Sequence, residues 1–134
     1  VRRALAGLGI VAAAWAAACG GDQGPVAGEL AIRLATPRAT DRAIAFAVVG
    51  LQHGITVPAG SNYRVFSSTG AAGDTTWITV VAPRGGGLAA GELARIAVDD
   101  TRRAGSYATI LGDVAAADYS VGDTAGVSLR VVKP

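Results

Sequence analysis

The residues able to do chemistry in this chain are few and far apart. There is one cysteine, Cys19, and one histidine, His53. A lone histidine can build neither a multi-histidine metal cluster nor a serine triad with a second base to spare, and between Gln52 and Gly54 it reads as an exposed loop residue. Asp113, Asp118 and Asp123 recur every five residues in GDVAAADYSVGD. Calcium needs several oxygens converging on one point, so these three are a candidate site, and the same residues also read as turn aspartates. Asp99 and Asp100 beside Arg102 and Arg103 read as a solvated hairpin end. Gly85, Gly87 and Ala90 fit G-x-G-x-x-A after an apolar run. Pro83 and Gly91 flank that loop, and neither a helix of useful length nor a parallel strand with an acidic ribose partner follows. A glycine hairpin turn is expected there, and no nucleotide.

Trp77, Tyr63 and Tyr107, with Tyr119, are a candidate aromatic platform on which a sugar ring could stack. Trp77 lies in the middle of the apolar run TTWITVVA, however, and offers the largest burial in the body. Packing between two sheets is therefore its expected place, with Trp77→Ala costing about 3 to 5 kcal/mol. No set of nucleophile, base and orienting group can be assembled from these residues. The expectation is a protein that is not an enzyme and uses no cofactor.

Charge separates the chain into two parts. Twelve basic side chains against ten acidic ones leave a formal +2, and Arg2 and Arg3 supply the whole excess. The remainder is formally neutral and lacks the basic stripe that phosphate contacts require, so nucleic acid is not an expected partner. With 51% hydrophobic and 16% charged residues, the chain is rich enough in apolar groups to fold and is no disordered tail.

Arg2 and Arg3 precede an uncharged, alanine-rich stretch, Ala4 to Ala18, that ends in small residues. This is the architecture of an export signal covering residues 1–18. The string WAAAC, Trp15 to Cys19, resembles the lipobox of bacterial lipoproteins. The resemblance implies cleavage before Cys19, a diacylglyceryl group on its sulfur, and a membrane-anchored, exported protein of the cell or outer membrane. Two or three acyl chains, at about 0.8 kcal/mol per buried methylene, would make that anchor essentially permanent. Two other readings stay open: ordinary cleavage after Ala16 or Ala18 leaving a free thiol, and an uncleaved anchor helix. After the cysteine, residues 19–28 are polar and glycine-rich and read as a flexible tether. A chain without methionine that begins Val1-Arg2-Arg3 is what a GUG start codon written as valine would give.

From Glu29 to Pro134 the dominant period is two. Leu30, Ile32 and Leu34 alternate with Ala31, Arg33 and Ala35, and Ile44, Phe46 and Val48 repeat the pattern, as in strands with one buried face. Further strands are expected at Tyr63 to Ser68, Thr75 to Ala82, Ala94 to Val98, Tyr107 to Leu111 and Val127 to Val131, with weaker candidates at Ile55 to Val57 and Val114 to Ala116. LAAGELARIA favours helix by propensity, but Gly91 interrupts it, so a turn over 85–91 and a strand from about Glu92 are expected. Seven to nine short strands separated by turn residues predict an all-β antiparallel sandwich, jelly-roll or immunoglobulin-like, as a single domain over residues 29–134 after the signal helix.

Within this body the glycine-rich turn followed by Gly91, Leu93, Ile96 and Val98, and then YATILGDVAAAD, is similar to the second half of cohesin-like domains. Those domains share their sandwich with certain carbohydrate-binding modules. The likeness implies a binding or scaffolding role, with an envelope protein or polysaccharide as the partner. Cys19→Ser is expected to release the protein from the membrane, and intact-mass measurement of the membrane-extracted protein is expected to show an acylated N-terminal cysteine. An unmodified thiol there, or retention of residues 1–18, would refute the lipoprotein assignment.

Overall fold

Alternation of apolar and polar residues dictates two sheets that meet face to face, because each strand has one side it must remove from water. In the computed structural model, which describes residues 24–134, the strands are β1 (Gly28–Ala35), β2 (Ala43–Val49), β3 (Gly54–Thr56), β4 (Arg64–Thr69), β5 (Thr75–Val81), β6 (Gly91–Val98), β7 (Ala108–Ala115) and β8 (Ser128–Val132). They form one four-stranded sheet in the order β3-β6-β1-β8, the β1 sheet, and a second in the order β4-β5-β2-β7, the β2 sheet. All pairings are antiparallel. The protein body is thus an all-β sandwich. The expected signal segment 1–18, the expected lipid-attachment residue Cys19 and the start of the expected tether lie outside the described residues.

The core is what the alternation demands. Leu30, Ile32 and Leu34 of β1 and Leu93, Ile96 and Val98 of β6 face Ile44, Phe46 and Val48 of β2 and Ile78 and Val80 of β5, all of them buried. Leu88, in the loop between β5 and β6, adds a plug from outside the sheets and is 1% exposed. That loop can reach the core because Gly87 lies against the backbone of Ala39, where a Cβ would collide with the carbonyl oxygen. The Leu88 amide then donates to the Asp41 carbonyl at 2.8 Å. Asp41 is itself buried and is held by the Arg38 guanidinium at 3.4 Å, which meets the rule that an interior charge be paired.

The seven strong strand signals all form, and the weak candidate at 55–57 becomes β3. The other weak candidate, Val114 to Ala116, is no separate strand. β7 runs on into it through a bulge that sets Gly112 and Asp113 against Ala45 between the Ile44 and Phe46 pairings. A Cβ on Gly112 would lie 2.9 Å from the Ala45 carbonyl oxygen, so glycine permits the close approach there.

The expected hairpin end at Asp99 to Arg103 is instead a crossover. Residues Thr101–Ser106 form 3₁₀ turns that carry the chain from the β1 sheet to the β2 sheet. Asp100 caps them by accepting from the Arg102 amide at 3.1 Å, and it also accepts from the Arg102 guanidinium at 3.0 and 3.1 Å. The same carboxylate takes the Val26 amide at 3.3 Å, and Thr101 donates to the Val26 carbonyl at 2.8 Å. The segment that leads into β1 is thereby fastened to the sandwich at Val26.

Phe46, 1% exposed at the centre of β2, is the residue on which both sheets close. Phe46→Ala is expected to cost about 3 to 5 kcal/mol, from lost transfer energy and an unfilled cavity. Urea denaturation measures it, and a loss below about 1 kcal/mol would contradict this packing.

Candidate functional site

Strand parity places the side chains of the β2 sheet that do not enter the core. In β5, Thr76, Ile78 and Val80 point inward and are buried, so Thr75, Trp77, Thr79 and Val81 must point outward. Trp77 is 58% exposed. The expectation that it packs between the sheets is corrected: the run TTWITVVA is a half-buried strand, and its parity is set by Ile78 and Val80 rather than by the largest side chain.

The registers lay out the outer surface around it. Ser68, Trp77, Ala47 and Ile110 form one row across the four strands. The next row holds Phe66, Thr79 and Ala45, with the Gly112–Asp113 bulge beside Ala45. Phe66 is 54% and Ile110 53% exposed. The Arg64 guanidinium lies 5.9 Å from the Phe66 ring centroid, a cation–π geometry. Between these larger groups the outward residues of β2 are Ala43, Ala45 and Ala47; Ala47 is covered by its neighbours, and a trough opens at Ala43 and Ala45. A groove of about 490 Å³ is lined there by Phe66, Trp77, Ala45, Thr79, Gly112 and Asp113 among others. A second groove of about 200 Å³ shares Ala45, Thr79 and Asp113 and continues to Tyr119 and Val121, where Val121 bridges to Ala115 at the end of β7.

The opposite surface of the sandwich has another character. On the outside of the β1 sheet, Arg95 is paired to Glu92 at 2.6 Å and to Glu29 at 3.7 Å, and Arg33 stands between Glu92 and Arg130 in the register. Of the seven large apolar side chains exposed among the described residues, Phe66, Trp77, Ile110, Tyr119 and Val121 all belong to the β2 side. One face is solvated by charge and the other is not. Scattered exposed apolar groups need no explanation, but a contiguous set does.

The remaining candidates do not assemble. Tyr63 is half-buried against the core, and its hydroxyl accepts from the Ala89 amide at 3.2 Å. Tyr107 also packs on the core, covering Gly50, and its hydroxyl donates to the Leu51 carbonyl. Burial pushes the Tyr107 hydroxyl above its usual range. Neither lies beside Trp77, so the expected trio Trp77, Tyr63 and Tyr107 is not a platform; the aromatic neighbour of Trp77 is Phe66. Tyr119, in the left-handed region at φ 65°, stands 67% exposed under Arg42.

Asp113 sits on the bulge. Asp118 accepts from the Ser120 hydroxyl at 2.6 Å and from its amide at 3.1 Å, bonds that hold its carboxyl below the usual range. Asp123 accepts from the Ala125 amide at 2.9 Å. Two of the three acids thus brace turns, and no group of three His, Cys, Asp or Glu side chains among the described residues is close enough to hold a metal. His53 is exposed, 2.7 Å from Asp99. Gly85 and Gly87 lie in the loop that leads straight into the antiparallel strand β6. No helix of the described residues is long and apolar enough to cross a membrane. Comparison with family models, with curated proteins and with solved structures finds no match.

An outward Trp77 changes the expected mutational cost. Trp77→Ala is expected to cost less than about 2 kcal/mol, because sheet-surface substitutions span only about 1 kcal/mol before partial burial is added. A urea midpoint shift equal to that of Phe46→Ala would return Trp77 to the core.

Proposed function

We propose that this protein is an exported lipoprotein, anchored through Cys19, whose sandwich is a non-enzymatic structural or protein-interaction module of the cell envelope. The outer face of the β2 sheet is its interaction surface. The observation that carries the reading is the asymmetry of the two outer faces, one held in ion pairs and the other apolar with Trp77 and Phe66 beside a trough of alanines. Exposed tryptophan next to small residues is the pattern of an interface centre, where a large side chain meets a partner that excludes water. The anchor would place this face outside the cytoplasm, toward periplasm or exterior, within reach of other envelope components.

A second reading, a carbohydrate-binding sandwich on the same anchor, is favoured by one feature. Ser68, Thr79 and Asp113 surround the Trp77 and Phe66 rings, and they offer hydroxyls and a carboxylate to a polar ligand stacked on an aromatic face. Apolar Ile110 and Ala45 occupy the rest of the surface, which weighs toward protein.

The two readings separate in intact cells. With a photo-activated side chain at Ile110, irradiation is expected to give discrete protease-sensitive adducts that disappear with Trp77→Ala. Protease-resistant glycan adducts, or binding of isolated envelope polysaccharide that Trp77→Ala abolishes, would establish the carbohydrate reading instead. Equal labelling from Ile110 and from the charged face at Arg95 would refute both.

A further inference from the structure

We propose that the outer face of the β2 sheet is a two-fold interface between two copies of this chain. The inference rests on reading that face as an interaction surface, and it names the occupant. A symmetric dimer needs a patch complementary to itself, so that each feature on one half finds its counterpart on the other. The β2 face is divided in that way. Its β4–β5 half is a ridge carrying Phe66 and Trp77, and its β2–β7 half holds a hollow at Ala45 and Gly112.

A two-fold axis lying in the face, parallel to the strands and midway between β5 and β2, exchanges β5 with β2 and β4 with β7. It keeps every residue in its own row. Phe66 of one copy is then laid over the second copy's Gly112–Asp113 bulge, and the two Trp77 side chains come together on either side of the axis, because the Ala47 beside each is fully buried. Thr79 is laid over the second copy's Ala45. In the row of Phe66 a large group meets a small one.

Charge follows the same symmetry. Arg64 stands at the ridge edge and Asp113 at the trough edge, and neither has an ion-pair partner within the described residues. Three strand spacings, about 14 Å at roughly 4.8 Å each, separate them in one copy. Arg64 itself belongs to the next row, with Val81, Ala43 and Ala115, but its guanidinium is laid over Phe66, in the row that holds Asp113. The axis thus brings the guanidinium of each copy beside Asp113 of the other and makes two ion pairs that a single chain cannot form.

The tether adds an independent condition. β1 begins at the end of the sandwich where Val26 is bonded to Asp100 and Thr101, the end at which β2 stops and Tyr107 reaches Leu51. An axis parallel to the strands preserves their direction, so both tethers leave from the same end, as two proteins anchored in one bilayer require. An axis across the strands would send them to opposite ends. The face measures about 20 Å each way, roughly 400 Å² in projection, which is modest against the about 800 Å² per partner of a standard interface. Confinement of both copies to one membrane raises their effective concentration, and that compensates for a small contact.

The test uses the full chain in its native membrane, with a photo-activated side chain at Thr79. The expected product has twice the protomer mass, with position 79 joined to the Ala43–Val49 segment of a second copy. Arg64→Glu and Asp113→Arg are each expected to lower its yield several-fold, and the double variant to restore it, because the swapped charges meet again only across a two-fold interface. Restoration also establishes that both variants fold. Singles that lose the adduct without rescue in the double would overturn the proposed axis. Adducts from Thr79 to another protein or to glycan, with no self-adduct, would overturn the second copy as occupant and leave the interaction face standing. No adduct from either Thr79 or Ile110 would remove both.

Discussion

The constraint on which the rest of this structure depends is the inward parity of β2 and β5, the two central strands of one sheet. Ile44, Phe46 and Val48 pair in register with Val80, Ile78 and Thr76, and all six are buried. Because successive side chains on a strand alternate, that choice leaves no freedom for their neighbours. Ala43, Ala45, Ala47, Trp77 and Thr79 are sent outward by the same step that builds the core. A one-residue slip would bury Trp77 opposite alanines and expose Ile44, Phe46 and Val48. The apolar character of the outer face is therefore a product of the fold's strongest packing term.

The sandwich stabilises its two outer faces by different means. On the β1 sheet, charges of opposite sign are interspersed, and Arg95 reaches two glutamates; exposed pairs of this kind add little stability but keep the surface solvated. On the β2 sheet no comparable lattice of charge exists, and Arg64 is laid over an aromatic ring. The bulge in β7 bears on this directly. By inserting Gly112 and Asp113 opposite Ala45 it removes bulk from the floor of the trough and turns one carboxylate toward it. Its effect is to make relief, a ridge beside a hollow, out of what would be a flat sheet.

The crossings between sheets are fastened by polar groups. Buried Asp41 and its partner Arg38 anchor the path from β1 to β2, and Arg42 reaches the Gly86 carbonyl in the loop that delivers Leu88. Thr76, fully buried, bonds both Gln52 at 3.0 Å and Thr69 at 3.3 Å. At the end where β1 begins Asp100 accepts from three donor groups, and the Arg102 guanidinium foremost holds its carboxyl well below the usual carboxylate range. These interactions fix where loops sit, which apolar burial alone leaves open, since burial is non-directional. They also hold the start of β1 at one end of the molecule.

Sequence alone determined the period of the strands, and with it the fold class, because alternation is a local property that survives without knowledge of partners. It also singled out Trp77 as the residue whose placement mattered. The parity of that strand is present in the sequence: Thr76, Ile78, Val80 and Ala82 form a more apolar set than Thr75, Trp77, Thr79 and Val81, although the size of the indole points the other way. Phe66 becomes its neighbour through the glycine turn at Gly70–Gly73, which fixes the hairpin that sets Ser68 opposite Trp77 and Phe66 opposite Thr79. Other features could arise only in three dimensions. Tyr63 and Tyr107 leave the platform because their hydroxyls find backbone partners 26 and 56 residues away. The alternation of Val114 to Ala116 joins β7 only through a bulge facing another strand. The contrast between the charged and apolar faces depends on which strands lie side by side, and the pairing of distant segments is the one thing a local pattern does not encode.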